Sequence, residues 1–356
     1  MSGGDPTTGP LTSEELQLAT RNHGMPLEAL RYEITPTGLH YLLVHFDIPH
    51  VDPETWRVEI GGNVDSPQSL SYSDLTALPA TTLPVTMECA GNGRARLTPR
   101  PVSQPWLIEA VGTALWTGVP LRDVVSAAGI RSDTAELVFS GADSGVQGGE
   151  KQEYERSLPP AEALRPEVLL AYEMNGRPLE PQHGAPVRLL VPGWYGMTSV
   201  KWLLGITAVT EPFQGYQQRE AYRYQQDAED QGERVDRIRV RALMVPPGYP
   251  DFLTRTRFVE AGEVELSGRA WSGSGVVEHV EVGVDGVWED AELGAPLGDF
   301  AWRGWRYLWR AAPGEHVVSC RATDAAGAVQ PLEQPWNYQG MGNNLVQSVS
   351  VSVNSR

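Results

Sequence analysis

The chain has 356 residues, more than one hydrophobic core usually holds, so two domains are expected. Hydrophobic residues make up 41% of it and charged residues 21%, a balance that excludes wholesale disorder. The formal net charge of −17 argues against a nucleic-acid partner, and no apolar run reaches bilayer length, so no membrane association is expected.

The amino-terminal segment, residues 1–11, is rich in Gly, Pro and Thr and is predicted to be a flexible tail. It has neither a basic start nor an apolar run, so no secretory signal is expected and the protein is predicted to be cytoplasmic. Thr12 and Glu15 then form a capping box, which predicts a short helix running toward Arg21 with Gly24 suited to its end.

Strands and short helices interleave over residues 12–226 without a regular βαβ period, which predicts an irregular mixed α/β domain. Short helices are expected at Ser73–Leu78 and at Leu121–Ala128, the second between Pro120 and Gly129. Extended or β-rich runs predict strands at Tyr41–Phe46, Trp56–Ile60, Leu83–Met87, Glu136–Ser140, Val168–Glu173, Pro186–Val191 and Ser199–Val209.

A polar, acidic stretch at Gln225–Glu233 marks the predicted boundary between two domains. Over residues 234–356 the helical period disappears, and short alternating strands with Gly and Pro turns predict an immunoglobulin-like sandwich. Its strands are expected at Val235–Met244, Gly262–Trp271, Val276–Val284, Gly304–Arg310, Glu315–Ala322 and Val346–Val353. The predicted fold class is therefore α+β, a mixed α/β domain followed by an all-β sandwich.

The densest group of chemically useful residues is the stretch MECAGNGR at residues 87–94. Cys89 follows an apolar strand and enters a turn close to Arg94, so we expect an electropositive setting that lowers the pKa of the thiol. A cysteine that merely packs is the alternative, and it is the preferred interpretation of Cys320, which lies inside an alternating strand.

A thiolate at Cys89 has two uses: nucleophilic catalysis with a histidine, or ligation of a soft or high-valent metal. The chain contains neither CxxC nor HExxH, so the other ligands of such a metal would have to come from a cofactor. Two further segments, RNH at residues 21–23 and QHGAPVR at 182–188, carry groups that suit a phosphate and a polar heterocycle.

Together these segments resemble the sulfite oxidase family of molybdopterin-dependent oxidoreductases. The resemblance rests on MECAGNGR, RNH, LAYEMNGRPLEPQHGAPVRLLVPG and SVKWL, which occur in order between about Arg21 and Tyr222. It continues into a segment similar to the family's immunoglobulin-like dimerisation domain, which implies a homodimer. Nothing resembles a cytochrome b5 domain and no CxxCH is present, so a stand-alone, bacterial-type member without haem is expected.

The resemblance implies molybdenum-molybdopterin as the cofactor, with Cys89 as the one protein ligand of the metal. It assigns contacts with the pterin and its phosphate to Asn22, His23, Asp143, Tyr154, His183, Arg188, Ser199 and Lys201. It assigns the substrate side to Arg21, Arg94, Trp106 and Tyr222, or to Tyr224 in place of Tyr222 after a small shift of register. Asp143 as a simple turn residue and Tyr154 as a core aromatic are the structural alternatives.

The chemistry implied by the resemblance is two-electron oxygen-atom transfer, with oxidation of sulfite, a small oxyanion, to sulfate as the leading reaction. The electrons would pass to an external acceptor such as a cytochrome. Reduction of nitrate or another oxygenated substrate at the same site is one alternative, and a metal-free cysteine hydrolase using His23 or His183 as base is another. A binding or adhesion module would leave the amino-terminal motifs unexplained.

Two departures from the family pattern bear on the substrate. Gly93 stands where many members have the first arginine of CAGNRR. Gln339 stands where characterised sulfite oxidases place an arginine that reaches the substrate pocket. Both departures remove a positive charge, so they put the specificity for sulfite in doubt more than the family.

Overall fold

The computed structural model describes residues 9–355. Of the predicted tail, residues 1–8 lie outside this range, while the carbonyl oxygens of Gly9 and Pro10 accept hydrogen bonds from Arg100 at 3.1 and 3.2 Å. Over the described range, no helix combines the length and the apolar character needed to cross a membrane.

The helices are short, and the first begins where the sequence predicts. The Thr12 hydroxyl accepts from the Glu15 backbone N–H at 3.2 Å, and the Glu15 carboxylate accepts from the Thr12 N–H at 2.8 Å. The α-helices span Ser13–Arg21, Tyr72–Thr76, Leu121–Val125, Pro160–Ala163 and Tyr216–Arg219. Single 3₁₀ turns span Leu27–Arg31, Thr37–Leu39, Arg94–Arg96, Ser126–Ala128, Pro181–His183 and Gly196–Thr198.

Two sheets form the first domain, and one buried cluster that includes Phe139, Leu170 and Leu203 packs between them. The first sheet has the strand order Gln68–Ser71, Arg57–Gly62, Leu203–Val209, Glu136–Gln147 and Glu150–Leu158. The second sheet has the order Thr81–Glu88, Val111–Pro120, Leu169–Met174 and Arg177–Pro178, with Arg188–Leu190 also paired to Leu169–Met174.

The second domain is a two-sheet sandwich, which confirms the predicted α+β class. Its buried core joins residues of both sheets, including Leu266, Trp305 and Val318. One sheet has the order Arg241–Met244, Gly262–Trp271, Arg303–Ala311 and Glu292–Pro296. The other has the order Tyr249–Pro250, Arg257–Glu260, Gln347–Asn354, Gly314–Asp324, Val277–Val284 and Val287–Asp290. A separate pair of short strands, Arg223–Tyr224 and Glu233–Arg234, precedes the sandwich.

The observed strands differ from the predicted ones at three places. Residues 41–46 form an irregular loop, because side chains rather than a neighbouring strand bind its backbone. The strand predicted at Val235–Met244 begins only at Arg241, since the preceding residues bond irregularly to the first domain. The edge strand Glu150–Leu158 was missed because one of its faces is solvent-exposed and its sequence is polar.

A buried ion pair joins the two domains directly beneath Cys89. Glu88 and Arg241 are 1% and 2% exposed, and their side chains approach to 3.3 Å. The Glu88 carboxylate also accepts from the Trp271 indole N–H at 2.8 Å and from the Asn92 amide at 2.9 Å. The residue that precedes Cys89 is therefore anchored in both domains.

We expect Arg241→Met to lower the free energy of unfolding by about 3–5 kcal/mol, because it strands a buried carboxylate. Urea denaturation followed by tryptophan fluorescence measures the loss. Arg306→Met is the matched control, since its pair with Glu292 is 62% and 66% exposed and screened by water, so its loss should be much smaller. Equal losses in the two variants would contradict a special role for the buried pair.

Candidate active site

Cys89 lies immediately after the strand Thr81–Glu88, where the chain turns sharply. Its backbone N–H donates to the Ala110 carbonyl at 2.9 Å, and its carbonyl accepts from the Asn92 N–H at 2.9 Å. The Asn92 side chain closes the turn by accepting from the Ala110 N–H at 3.1 Å. Cys89 is 7% exposed, and it borders two cavities.

The polypeptide alone does not lower the pKa of the Cys89 thiol. Burial raises the pKa, and this effect exceeds the opposing effects of the Arg94 guanidinium and the Gly91 backbone N–H. The expectation of a lowered pKa is therefore wrong for the bare protein, because the sequence shows the nearby charge but not the desolvation. A metal bound to the sulfur would supply the missing positive charge, since a coordinating thiol is deprotonated.

The first cavity, of about 690 Å³, is called here the basic chamber. Arg188 donates to the carbonyl oxygens of His183 and Ser199 at 2.9 Å each. Lys201 donates through Nζ to two further backbone carbonyls at 2.9 and 3.1 Å. Neither cation pairs with a carboxylate within the described range, so the chamber keeps positive charge. The polar residues that line it are His40, Tyr41, His45, Asp143, Tyr154, Gln182, His183, Arg188, Ser199, Lys201 and Tyr222.

Burial sets the protonation of the groups in the basic chamber. It lowers the pKa of Lys201 to about 7 and that of His183 to about 3. It raises the pKa of Asp143 to about 6, although the Lys201 cation acts in the opposite direction. At neutral pH His183 is therefore an uncharged ring, while Lys201 and Asp143 both titrate within about one unit of neutrality.

Two hydroxyls in the basic chamber are only partly used by the protein. The Tyr154 hydroxyl donates to the Met197 carbonyl at 2.8 Å, which leaves its oxygen free to accept. The Ser199 oxygen accepts from the Val191 N–H at 3.1 Å, which leaves its proton free to donate. Both residues can therefore contact a bound molecule without losing their structural bonds.

The second cavity, of about 1620 Å³, is called here the apolar chamber. The charged residues among its described lining are the buried Arg94 and the exposed Glu220. Arg94 donates to the carbonyl oxygens of Gln339 and Gln104 at 3.0 and 3.3 Å, and to the Met341 sulfur at 3.4 Å. The apolar and aromatic lining includes Leu18, Leu43, Phe46, Val102, Trp106, Val146, Tyr338 and Met341.

Tyr222 lies where the two chambers meet. Its hydroxyl is 3.3 Å from Nδ1 of His45, and Nε2 of His45 is 2.9 Å from the Gln147 amide oxygen. Because that oxygen accepts, Nε2 carries the ring proton and Nδ1 accepts from Tyr222. Burial raises the pKa of Tyr222 to about 12, so the hydroxyl stays protonated at neutral pH. Tyr224 packs under Arg239 and borders neither chamber, so the geometry favours Tyr222.

The Arg21, Asn22 and His23 side chains border neither chamber. Arg21 is exposed and donates to a backbone carbonyl of the loop 40–46 at 3.0 Å. Asn22 is buried, but its oxygen accepts from the Val44 N–H of the same loop at 2.7 Å. His23 is exposed and pairs with the loop through its backbone. All three residues support the loop, and the loop borders the chambers. The contacts with cofactor and substrate that the resemblance implies for them stay predictions.

Tertiary packing explains the two departures from the family pattern. Gly93 has φ +91°, and a Cβ there would meet the Asn343 side chain at 3.0 Å. The Asn343 amide also donates to the Gly93 carbonyl at 2.7 Å, so the second domain fills this space. The Gln339 amide donates to the Glu220 carbonyl at 2.8 Å and accepts from the Arg223 N–H at 3.1 Å. Neither position offers the site a cation.

The sequence interpretation missed several lining residues. His45 lies in the run Tyr41–Phe46 that is predicted as a strand, and His40 directly precedes it; two of the chain's seven histidines, five positions apart, are the signal that the sequence offers. Gln104 and Met341 carried no signal, because their place in the site depends on contacts with Arg94 across the fold.

The lining of the basic chamber fits the pterin cofactor that the resemblance implies. Oδ1 of Asp143 and Nε2 of His40 are buried without a hydrogen-bond partner, and such atoms are normally satisfied. The two cations that lack a carboxylate partner suit a phosphate group. Within residues 9–355 no cluster of three or more His, Cys, Asp or Glu could hold a metal ion, so a metal at Cys89 needs ligands from a cofactor.

Comparison with known proteins agrees with this fit. Residues 45–217 match the model of the oxidoreductase molybdopterin binding domain, and residues 234–354 match that of the Mo-co oxidoreductase dimerisation domain. The mitochondrial sulfite oxidase of Rattus norvegicus is 35% identical over 346 residues, covering 90% of this chain and 62% of that protein. The nitrate reductase [NAD(P)H] of Hordeum vulgare is 32% identical over 350 residues, covering 90% of this chain and 39% of that protein. The chain thus spans less than two thirds of either relative.

A solved structure extends the similarity to the whole fold. The sulfane dehydrogenase SoxCD from Paracoccus pantotrophus superposes with a TM-score of 0.81 at 25% sequence identity, covering 93% of this chain and 86% of that chain. Both domains, in the same order, are therefore part of one known architecture. The chain belongs to the sulfite oxidase family of molybdopterin-dependent oxidoreductases.

Proposed function

We propose that this protein catalyses two-electron oxygen-atom transfer on a sulfur substrate and passes the electrons to an external acceptor such as a cytochrome. One observation carries the proposal: the Cys89 thiol borders a cation-lined chamber and an apolar chamber at once. A cofactor held in the first would therefore present its metal to a substrate in the second. Sulfite is the reference substrate, because the sulfite oxidase relative is the more similar of the two enzymes compared.

The residues of the chain have separable tasks in this reaction. Molybdenum-molybdopterin, when bound, supplies the oxygen transfer and the two-electron redox chemistry. Cys89 would hold the metal, while Arg188 and Lys201 would neutralise the phosphate. On the substrate side Arg94 donates to a substrate oxygen and stabilises negative charge that develops there. Tyr222 stays protonated, and its hydroxyl donates a hydrogen bond to Nδ1 of His45.

Elemental analysis and steady-state assays test the proposal. The protein is purified from a host that makes the cofactor, and it is assayed for sulfite-dependent reduction of ferricyanide and nitrate-dependent oxidation of a reduced dye. Near-stoichiometric molybdenum with turnover of a sulfur substrate supports the proposal. Turnover of nitrate alone overturns the sulfur substrate. Metal-free protein from such a host overturns the metal site. Cys89 would then be a bare thiol, and the cysteine hydrolase would be the remaining alternative.

Anion binding by cofactor-free protein should weaken as the pH rises from 6 to 8. Lys201, with its pKa at about 7, loses its charge over this range, and Asp143, with its pKa at about 6, completes its ionisation. Both changes disfavour an anion, so we expect the affinity for sulfate, whose own charge is constant here, to fall about tenfold. Calorimetry measures it. Lys201→Met should weaken binding and flatten the pH dependence, whereas Lys151→Met, at the only other lysine, should do neither.

We infer that the protein is a homodimer, because residues 234–354 match a dimerisation domain. Light scattering at micromolar concentration should return twice the mass of the chain. The mass of a single chain at that concentration would contradict the inference.

A further inference from the structure

We propose that the substrate is a neutral, amphipathic organosulfur compound, a thioether interconverted with its sulfoxide, rather than a small sulfur oxyanion. This substrate class rests on the oxygen-atom transfer proposed above. It follows from the charge, the hydrogen-bonding capacity and the walls of the apolar chamber.

The apolar chamber has too little positive charge for a dianion. Arg94 is the one cation among its described lining residues, and Glu220 opposes it. Arg21 lies outside the chamber, and Gln339 carries no charge. A dianion entering this space loses much of its hydration, and one arginine shared with a carboxylate does not replace it.

The hydrogen bonds that Arg94, the cation of the chamber, can still donate suit a single oxygen atom. Arg94 has five N–H donors, and three nitrogen atoms each already donate to Gln339, Gln104 or Met341. One N–H therefore remains on each terminal nitrogen. The buried indole N–H of Trp106 interacts with the Cys89 sulfur and lowers the pKa of that thiol, so the remaining N–H groups of Arg94 are the donors left for a substrate oxygen beside Cys89. These donors match the one oxygen of a sulfoxide, whereas sulfite has three oxygens to satisfy.

The apolar side chains that line the chamber suit a substrate whose sulfur carries hydrocarbon groups as well as that oxygen. Leu43, Phe46 and Met341 border the chamber, and so do Val102 and Val146, which are 45% and 74% exposed. A small hydrated oxyanion would leave most of these apolar side chains in contact with water. Hydrocarbon groups would remove this apolar surface from water, and thioether sulfur packs favourably on aromatic rings.

The proposed reaction is balanced as follows. A thioether and one water molecule give a sulfoxide, two protons and two electrons. A sulfur lone pair forms the new S–O bond, the oxygen derives from water, and the electrons pass to two equivalents of a one-electron acceptor. The reverse reaction consumes two electrons from a donor and releases water.

Kinetics of the holoenzyme distinguish the substrate classes. With ferricyanide as acceptor we expect kcat/KM for methyl phenyl sulfide to exceed that for sulfite by at least about tenfold. With a reduced viologen dye, methyl phenyl sulfoxide should be reduced. A kcat/KM for sulfite equal to or above that for the thioether overturns the substrate class but leaves the oxygen transfer intact. Molybdenum-loaded protein that turns over neither compound, nor sulfite, nor nitrate, overturns the proposed function itself.

Binding to the oxidised holoenzyme gives a readout that does not depend on turnover. In calorimetry without an electron donor, methyl phenyl sulfoxide should bind at least about tenfold more tightly than sulfate. The opposite order of affinities would overturn the substrate class even if the assays fail for lack of a suitable acceptor.

A charge added to the wall should change the preference. Leu43 borders both chambers, as Cys89 does, so Leu43→Arg adds a second cation to the lining of the apolar chamber. We expect the ratio of kcat/KM for sulfite to that for the thioether to rise at least about tenfold. Leu43→Met changes packing without adding charge, and its ratio should shift much less. Equal ratios in the two variants would overturn the role assigned to charge.

Discussion

Cys89→Ser should reduce turnover by at least about a thousandfold while the protein stays folded. A hydroxyl is a hard ligand that remains protonated at neutral pH, so it cannot replace a thiolate on the metal. Serine is nearly the same size as cysteine, and burying its hydroxyl should lower the stability by only about 1–3 kcal/mol. Turnover, molybdenum content and thermal unfolding are measured on the same preparation.

The other cysteine is the matched control for this variant. Cys320 is fully buried in the core of the sandwich, and burial raises the pKa of its thiol as well. Cys320→Ser should therefore lose a similar amount of stability but keep its turnover per molybdenum atom. Wild-type turnover in Cys89→Ser, or an equal loss of turnover in both variants, would refute the assignment of Cys89 as the ligand.

Arg94→Gln should lower kcat/KM by about a hundredfold, because it removes the cation beside Cys89 on the substrate side. Glutamine can still donate one hydrogen bond, but it cannot stabilise negative charge as the guanidinium does. A loss confined to KM would place the contact in substrate binding, and an equal loss in kcat would place it in the transition state.

Arg96→Gln is the control for that experiment, since Arg96 lies on the same 3₁₀ turn but its side chain is exposed. It should retain kcat/KM within about threefold. If Arg94→Gln also retained wild-type kcat/KM, Arg94 would not contact the substrate. Thermal unfolding of both variants separates this result from partial misfolding, because Arg94→Gln leaves the Gln339 and Gln104 carbonyls without a donor.

The sequence alone determined the architecture and singled out Cys89 as the candidate metal ligand. Alternating strands beyond residue 234 indicated the sandwich, and the confirmed strand Gly262–Trp271 has the predicted bounds. The capping box of Thr12 and Glu15 correctly marked the start of the first helix. Cys89 stood out because its turn places two glycines and an arginine beside one thiol. Each of these signals is local, since periodicity, caps and turns depend on residues a few positions apart.

The tertiary structure decided which residues border the site and what their pKa values are. The RNH triad bonds to the loop 40–46, and His40 and His45 of that loop, which the sequence interpretation missed, border the basic chamber. It decided the pKa of Cys89 as well, because burial, which no local pattern reveals, exceeds the effect of Arg94. Desolvation and contacts between residues far apart in the chain exist only after folding, so the charge of the substrate chamber had to be read from the folded molecule.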